Sequence, residues 1–230
     1  MAISAEQAEC LRRARGLAPH ALGLGLRVPH YDYVLEHAPP VDYFEVISEN
    51  FFGPAPTPRA RLERVRARYP VVLHGVGLNL LGCAPLDSQY LDALSRLADA
   101  VDAPFVSDHL CWTGAHGVSH HDLLPAPYTP ELVELAAERA HEVQRRLGRP
   151  FAIENLSSYV EFRSSTLSEW EFYTAVVRES GCWSLFDVNN VYVSSQNHGG
   201  GPFPTLIEWD AHIPPLPELL VELAKAREAR

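Results

Sequence analysis

Side chains able to hold a metal stand at the ends of short apolar runs along this chain. Val71-Val72-Leu73 runs into His74, and Phe105-Val106-Ser107 runs into Asp108-His109. Phe151-Ala152-Ile153 leads to Glu154-Asn155, and Trp183-Ser184-Leu185-Phe186 leads to Asp187, with Asn189 and Asn190 just beyond. Thr205-Leu206-Ile207 leads to Glu208. Mixed imidazole, carboxylate and amide donors suit divalent metals such as iron, zinc or manganese. Any one of these residues alone reads equally well as a hydrogen-bonded core histidine or a paired acid. Together they make a site only if the apolar runs are parallel strands whose C-terminal ends share one face.

The elements between the runs supply that condition. Leu22–Val28 reads as a first strand, followed by a short helix over His30–His37 and a second strand over Tyr43–Glu49. Leu62 and Val65 share a face in a helix over Pro58–Tyr69. Asp87 or Ser88 caps a helix carrying Tyr90, Leu94, Leu97 and Val101. Thr129 caps the next helix, with Pro130 in its first turn, an apolar stripe through Leu132, Ala136, Ala140, Val143 and Leu147, and Gly148 at its end. Thr166-x-x-Glu169 reads as a capping box opening a helix through Val177, and a last helix spans Leu216–Ala226. Alternating strands and helices predict an α/β fold with a parallel sheet, a TIM-type (β/α)8 barrel, in one domain over residues 1–230. A doubly wound open sheet is the structural alternative. The count falls short: between Val191 and Phe203 the polar, Gly-rich chain shows no helical pattern and little room for a crossover. About one strand–helix unit is therefore missing near the C-terminal end.

Composition narrows the function. The 19 Lys+Arg against 29 Asp+Glu give a net charge of −10, which disfavours a nucleic-acid surface. The arginines of 59–68 and 139–149 read as solvated helix faces. Cys10, Cys83, Cys111 and Cys182 are too scattered for a zinc ribbon or a disulfide framework, and fit a cytoplasmic protein. No apolar run reaches membrane-spanning length.

Several strings together resemble one family. They are Gly23-Leu-Gly-Leu-Arg-Val-Pro-His-Tyr31, Phe44-Glu-Val-Ile-Ser-Glu-Asn50, Leu73-His-Gly-Val-Gly-Leu78, Ser107-Asp-His-Leu110, Asp122-Leu-Leu-Pro-Ala-Pro-Tyr128, Ile153-Glu-Asn155, Phe186-Asp-Val-Asn-Asn190 and Ile207-Glu-Trp-Asp210. The chain is similar to the MbnB-like multinuclear non-haem iron-dependent oxidases of methanobactin biosynthesis. The resemblance implies a TIM barrel with two or three irons at the C-terminal face. It implies dioxygen-dependent oxidation of a cysteine in a ribosomally made precursor peptide, and a partner protein that binds the peptide's leader. It implies His74, His109, Glu154, Asn189 and Glu208 as metal ligands, with Glu154 bridging. Asp108 and Asp187 stand beside ligand positions, and Glu154 and Asp187 are the candidate catalytic carboxylates. The family pattern departs between about His198 and Pro204, where this chain is shortened by a helix, a strand and further His and Asp ligands.

Other readings stay open on the residues alone. The same side chains would serve another divalent-metal barrel enzyme, an isomerase or a phosphodiesterase, with manganese or zinc. A shortened barrel with exposed strand edges could instead be a weakly active binding or scaffold protein. Alternation on a strand would place Asp187 and Asn189 on one face and turn Asn190 away. Glu45 and Glu49 share a face of the second strand, within reach of Arg27. His116, His120 and His121 fall in a loop after the fourth strand. Cys111 reads as a small buried side chain, and His198 lies in the shortened loop.

Overall fold

In the computed structural model, which describes residues 17–18, 21–53, 56–115, 118–198 and 215–221, strands and helices alternate as the sequence predicts. The elements are β1 (Gly23–Gly25), α1 (Tyr31–His37), β2 (Tyr43–Ile47), α2 (Pro56–Arg66), β3 (Val71–Gly75), α3 (Ser88–Val101), β4 (Val106–His109), β5 (Trp112–Ala115), β6 (Val118–Leu124), α4 (Pro130–Leu147), β7 (Phe151–Glu154), α5 (Glu169–Ser180), β8 (Trp183–Leu185) and α6 (Val188–Asn197). Residues 216–221 are helical. Six strands pair in the order β1-β2-β3-β4-β7-β8, all parallel, while β5 and β6 form a separate antiparallel hairpin. This is an α/β half-barrel. Among the described residues β1 and β8 are its open edges, so the barrel is incomplete.

Every residue of β3, β4 and β7 is buried. Burial on both faces explains why β3 and β7 open with continuous apolar runs, Val71–Leu73 and Phe151–Ile153, instead of alternating; the buried polar residues Ser107, Asp108 and His109 of β4 gather at the site. The helices cover one side, on stripes close to the predicted ones but with Leu91 and Val133 buried where Tyr90 and Leu132 are partly buried. Leu91, Leu94, Leu97 and Val101 do so from α3, Val133, Ala136, Ala140, Val143 and Leu147 from α4, and Phe172 and Val176 from α5. Each such side chain larger than alanine contributes about 1.5–3 kcal/mol by leaving water. The Asp87 side chain caps α3 by accepting from the Gln89 and Tyr90 amides. Thr129 caps α4, and Gly148 ends it at φ 57°. Among the described residues no helix is long and apolar enough to cross a membrane.

Five local expectations change. The stretch after β4 is no loop: it folds as the β5–β6 hairpin, whose base is held by Asn79. The Asn79 side chain accepts from the Thr113 amide at 2.7 Å and donates to the Gly114 carbonyl at 3.2 Å. Glu49 lies beyond β2 in a 3-10 turn, Ser48–Phe51. The capping box of α5 is Ser168 with Glu171, two residues after the expected pair. Arg139 and Arg149 are buried rather than solvated: Arg139 donates to the carbonyls of Leu80, Gly82 and Ala84, all at 2.7 Å, and Arg149 pairs with Asp99. Most important, Asp187 does not end a strand. β8 stops at Leu185, and Asp187 is the N-cap of a helix the sequence reading did not foresee. Its valines favour a strand reading, but Asp-x-x-Asn starts a helix when the aspartate accepts from the third amide, here Asn190 N at 2.9 Å. The strand expected to end at Glu208 lies outside the described residues.

Candidate metal centre

Strand register dictates which side chains meet. His74 on β3 is level with Ser107 on β4, Gly75 with Asp108, and His109 with Glu154 on β7. Because side chains alternate, His74, Ser107, His109 and Glu154 all point to the same side of the sheet. His74 Nε2 lies 3.5 Å and His109 Nε2 3.6 Å from Glu154 Oε2, and the potential ligand atoms of the three residues lie within 4.8 Å of one another. Two ligands on one ion, with bonds of about 2.1 Å, stand about 3.0–3.4 Å apart. The donor set is thus near coordination distance already. The imidazoles meet edge to face with centroids 4.6 Å apart.

The second nitrogen of each ring fixes its tautomer. Ser107 Oγ donates to the Leu73 carbonyl, so it accepts from His74 Nδ1 at 2.9 Å. His109 Nδ1 donates to the Gly75 carbonyl at 3.2 Å. With protons held on Nδ1, Nε2 of each ring faces the centre, as ligating histidines require: a lone pair on neutral His74, and on His109 the position a metal would take from a proton. Gly75 also makes room: a Cβ there would stand 2.3 Å from Asp108 Oδ2.

Asp108 is fully buried and works through His109. It accepts from the His109 amide at 2.7 Å, the Leu78 amide at 3.1 Å and the Tyr90 hydroxyl at 3.4 Å. The same hydroxyl donates to Glu49 Oε1 at 2.6 Å, which also accepts from the Val76 amide. Burial, reinforced by His109 and Arg27, pushes His74 down to about 3. Its approach to Glu154 is therefore a contact of a neutral ring and not an ion pair. Burial also opposes charge on His109, but Asp108, Glu154 and the Gly75 carbonyl outweigh it and raise the ring to about 9. Without a metal, a proton on His109 takes a cation's place between two carboxylates. Two buried imidazoles and a carboxylate brought together, with a proton on His109 standing where a cation would, fit a divalent metal that displaces that proton.

The other expected residues fall differently. Asp187 caps α6 and is tied to Asn155: its amide donates to Asn155 Oδ1 at 2.7 Å, and its carbonyl accepts from Asn155 Nδ2 at 2.9 Å. Asn189 sits in the first turn of α6, partly buried. Its neighbour Asn190, expected to face away, reaches the site instead, donating to Glu154 Oε1 at 3.3 Å and to the Asn155 carbonyl at 2.9 Å. Glu208 and His116 lie outside the described residues. His120 is exposed beside Trp112, and Cys111 is buried with its thiol pushed well up by burial. Ser107 was not singled out, although its place two residues before His109 on one strand was signal enough; Asn190 was hidden by reading a strand where a helix starts.

Comparisons with known proteins agree with this frame. A sequence model described as RiPP precursor modification enzyme MbnB/TglH/ChrH matches residues 21–202. A UPF0276 protein of Anaeromyxobacter sp. (strain Fw109-5) is 40% identical over 259 positions, covering 90% of this chain and 91% of the relative. A UPF0276 protein of Rhizorhabdus wittichii is 40% identical over 267 positions, covering 93% and 96%. Since 90% of 230 residues is about 207, roughly 52 of the 259 aligned positions have no residue in this chain. A solved D-psicose 3-epimerase superposes on 78% of this chain and 67% of its own with a TM-score of 0.50 at 10% identity, a likeness of fold alone.

Proposed function

The chain belongs to the family of RiPP precursor modification enzymes MbnB/TglH/ChrH, and on that premise we propose that it is an iron- and dioxygen-dependent oxidase of a cysteine in a ribosomally synthesised peptide. The observation that carries the reading is the convergence of His74, His109 and Glu154 from three neighbouring strands. Two imidazoles and one carboxylate, with coordination positions left open, are the donor set of non-haem iron oxygenases. When bound there, iron would supply the redox chemistry that couples reduction of dioxygen to oxidation of the cysteine.

The chain's own residues do the rest. His74 and His109 hold the metal through Nε2, with Ser107 and the Gly75 carbonyl fixing each ring. Glu154 offers Oε2 to the centre while Asn190 occupies Oε1. Asp108 orients His109 through its amide. Asp187 acts on the centre through Asn155 and Asn190, and Glu154 is the carboxylate that touches the reacting atoms. All three residues are buried, which strengthens the electrostatic interaction of their donor atoms with a cation. Asn189 and Glu208 would extend the site toward two or three irons. A separate leader-binding protein would deliver the peptide.

The test is anaerobic reconstitution with Fe(II), metal analysis, and oxygen uptake on addition of a cysteine-containing peptide. Iron at one equivalent or more, lost in His74→Ala, His109→Ala and Glu154→Ala, is the expected result. Failure to bind Fe(II), or an iron-loaded protein that consumes no oxygen with the peptide, would sink the iron assignment and favour a Lewis-acid barrel enzyme using zinc or manganese.

A further inference from the structure

Past Glu154 the chain leaves the sheet, yet the next residues are buried: Asn155 is 2% exposed, Leu156 6% and Ser158 4%. Buried backbone polar groups need partners. Here α6 supplies them from its side chains. Asn190 Nδ2 donates to the Asn155 carbonyl, Ser194 Oγ to the Leu156 carbonyl at 3.5 Å, and Asn197 Nδ2 to the Ser158 carbonyl at 2.9 Å. The Ser158 amide donates to Ser194 Oγ at 2.9 Å, and Ser158 Oγ meets His198 Nε2 at 2.8 Å. Positions 190, 194 and 197 recur at helical spacing and share one face. Asn155 closes the other end by its paired bonds with Asp187. The Asn190 amide group has one orientation open to it, because its NH2 must face two oxygens, those of Glu154 and Asn155.

We propose that α6 is a positioning element for Glu154. Its polar face, Asn190, Ser194 and Asn197, grips residues 154–158, and Asn190, by holding one carboxylate oxygen, fixes how the Glu154 carboxylate is turned toward the two imidazoles. The proposal rests on the metal reading of His74, His109 and Glu154. These three α6 residues are positioning residues: each acts on the centre through Glu154 or the segment that follows it.

Cobalt(II) is the probe, titrated into the full chain and followed by its visible absorption, with thermal melting run alongside. Wild type binds Co(II), and Glu154→Gln loses it. Asn190→Ala weakens binding 10–100-fold, the range for partners of metal ligands, and shifts the visible bands while the protein remains folded. The double variant Ser194→Ala/Asn197→Ala, which leaves Asn190 in place, weakens binding at least threefold with the same sense of spectral change. If Asn190→Ala fails to fold, this double variant decides. Variants that melt earlier yet bind Co(II) within twofold of wild type, with unchanged bands, show a merely structural helix and overturn the proposal. Wild type that binds no Co(II) fails the metal reading itself, and the proposal with it.

Discussion

His74 and His109 carry opposite proton preferences 4.6 Å apart, and that difference can be read in solution. His109 is raised from 6.5 to about 9, so in the metal-free chain its contribution to stability is complete below pH 6.5 and is lost as pH rises through 9. His74 is lowered from 6.5 to about 3, so its contribution is present above pH 6.5 and is lost as pH falls toward 3. The two together predict that metal-free protein gains most from this pair near pH 6.5. Urea midpoints measured across pH for wild type and for His74→Ala/His109→Ala should differ in this shape. A wild-type curve parallel to that of the double variant would refute the assigned protonation states. The origin of the asymmetry is local: Asp108 contacts one ring, while the other meets only the Ser107 hydroxyl on its far side.

The β3–α3 loop shows what buried arginine does. Arg139 gathers three carbonyls within five residues, Leu80 to Ala84, in the connection that leaves the strand bearing His74. Arg139→Ala leaves these acceptors to find water and should cost about 2–4 kcal/mol. Arg146→Ala, from the exposed pair with Asp92, should cost less than about 1 kcal/mol. Urea unfolding of the two variants tests this, and equal costs would contradict it. Both arginines look alike in sequence, because burial of a long cation depends on which carbonyls the fold brings to it. The same limit governed the rest. The caps of α4 were legible because Thr129-Pro130 and Gly148 act within one turn. The meeting of His74, His109 and Glu154 was legible because each stands at or next to the C-terminal end of a buried parallel strand. The β5–β6 hairpin was not: its pairing is bulged, with a register shift between Trp112 and Gly114, and its base depends on the distant Asn79. Nor was α6, whose polar stripe makes sense only once residues 154–158 lie beside it.

At the scale of the molecule, about 52 positions of the alignment with the Anaeromyxobacter relative have no residue in this chain, and among the described residues the half-barrel ends in short strands of three residues at β1 and β8. The three converging ligands stand on β3, β4 and β7, none of which is an edge. Edge strands fray first, and local opening there costs far less free energy than opening the middle of a sheet. In deuterated solvent, amides of β3 and β4 such as Leu73 and Val106, which donate to the Phe105 and Pro150 carbonyls just before β4 and β7, should be among the last to exchange, and those of β1 and β8 among the first. Exchange of Leu73 as fast as that of Leu24 would contradict this ordering. If it holds, the ligand-bearing strands form the protein's most durable unit. The periphery of the barrel can then be shortened, loosened or rebuilt without first dismantling the three donors.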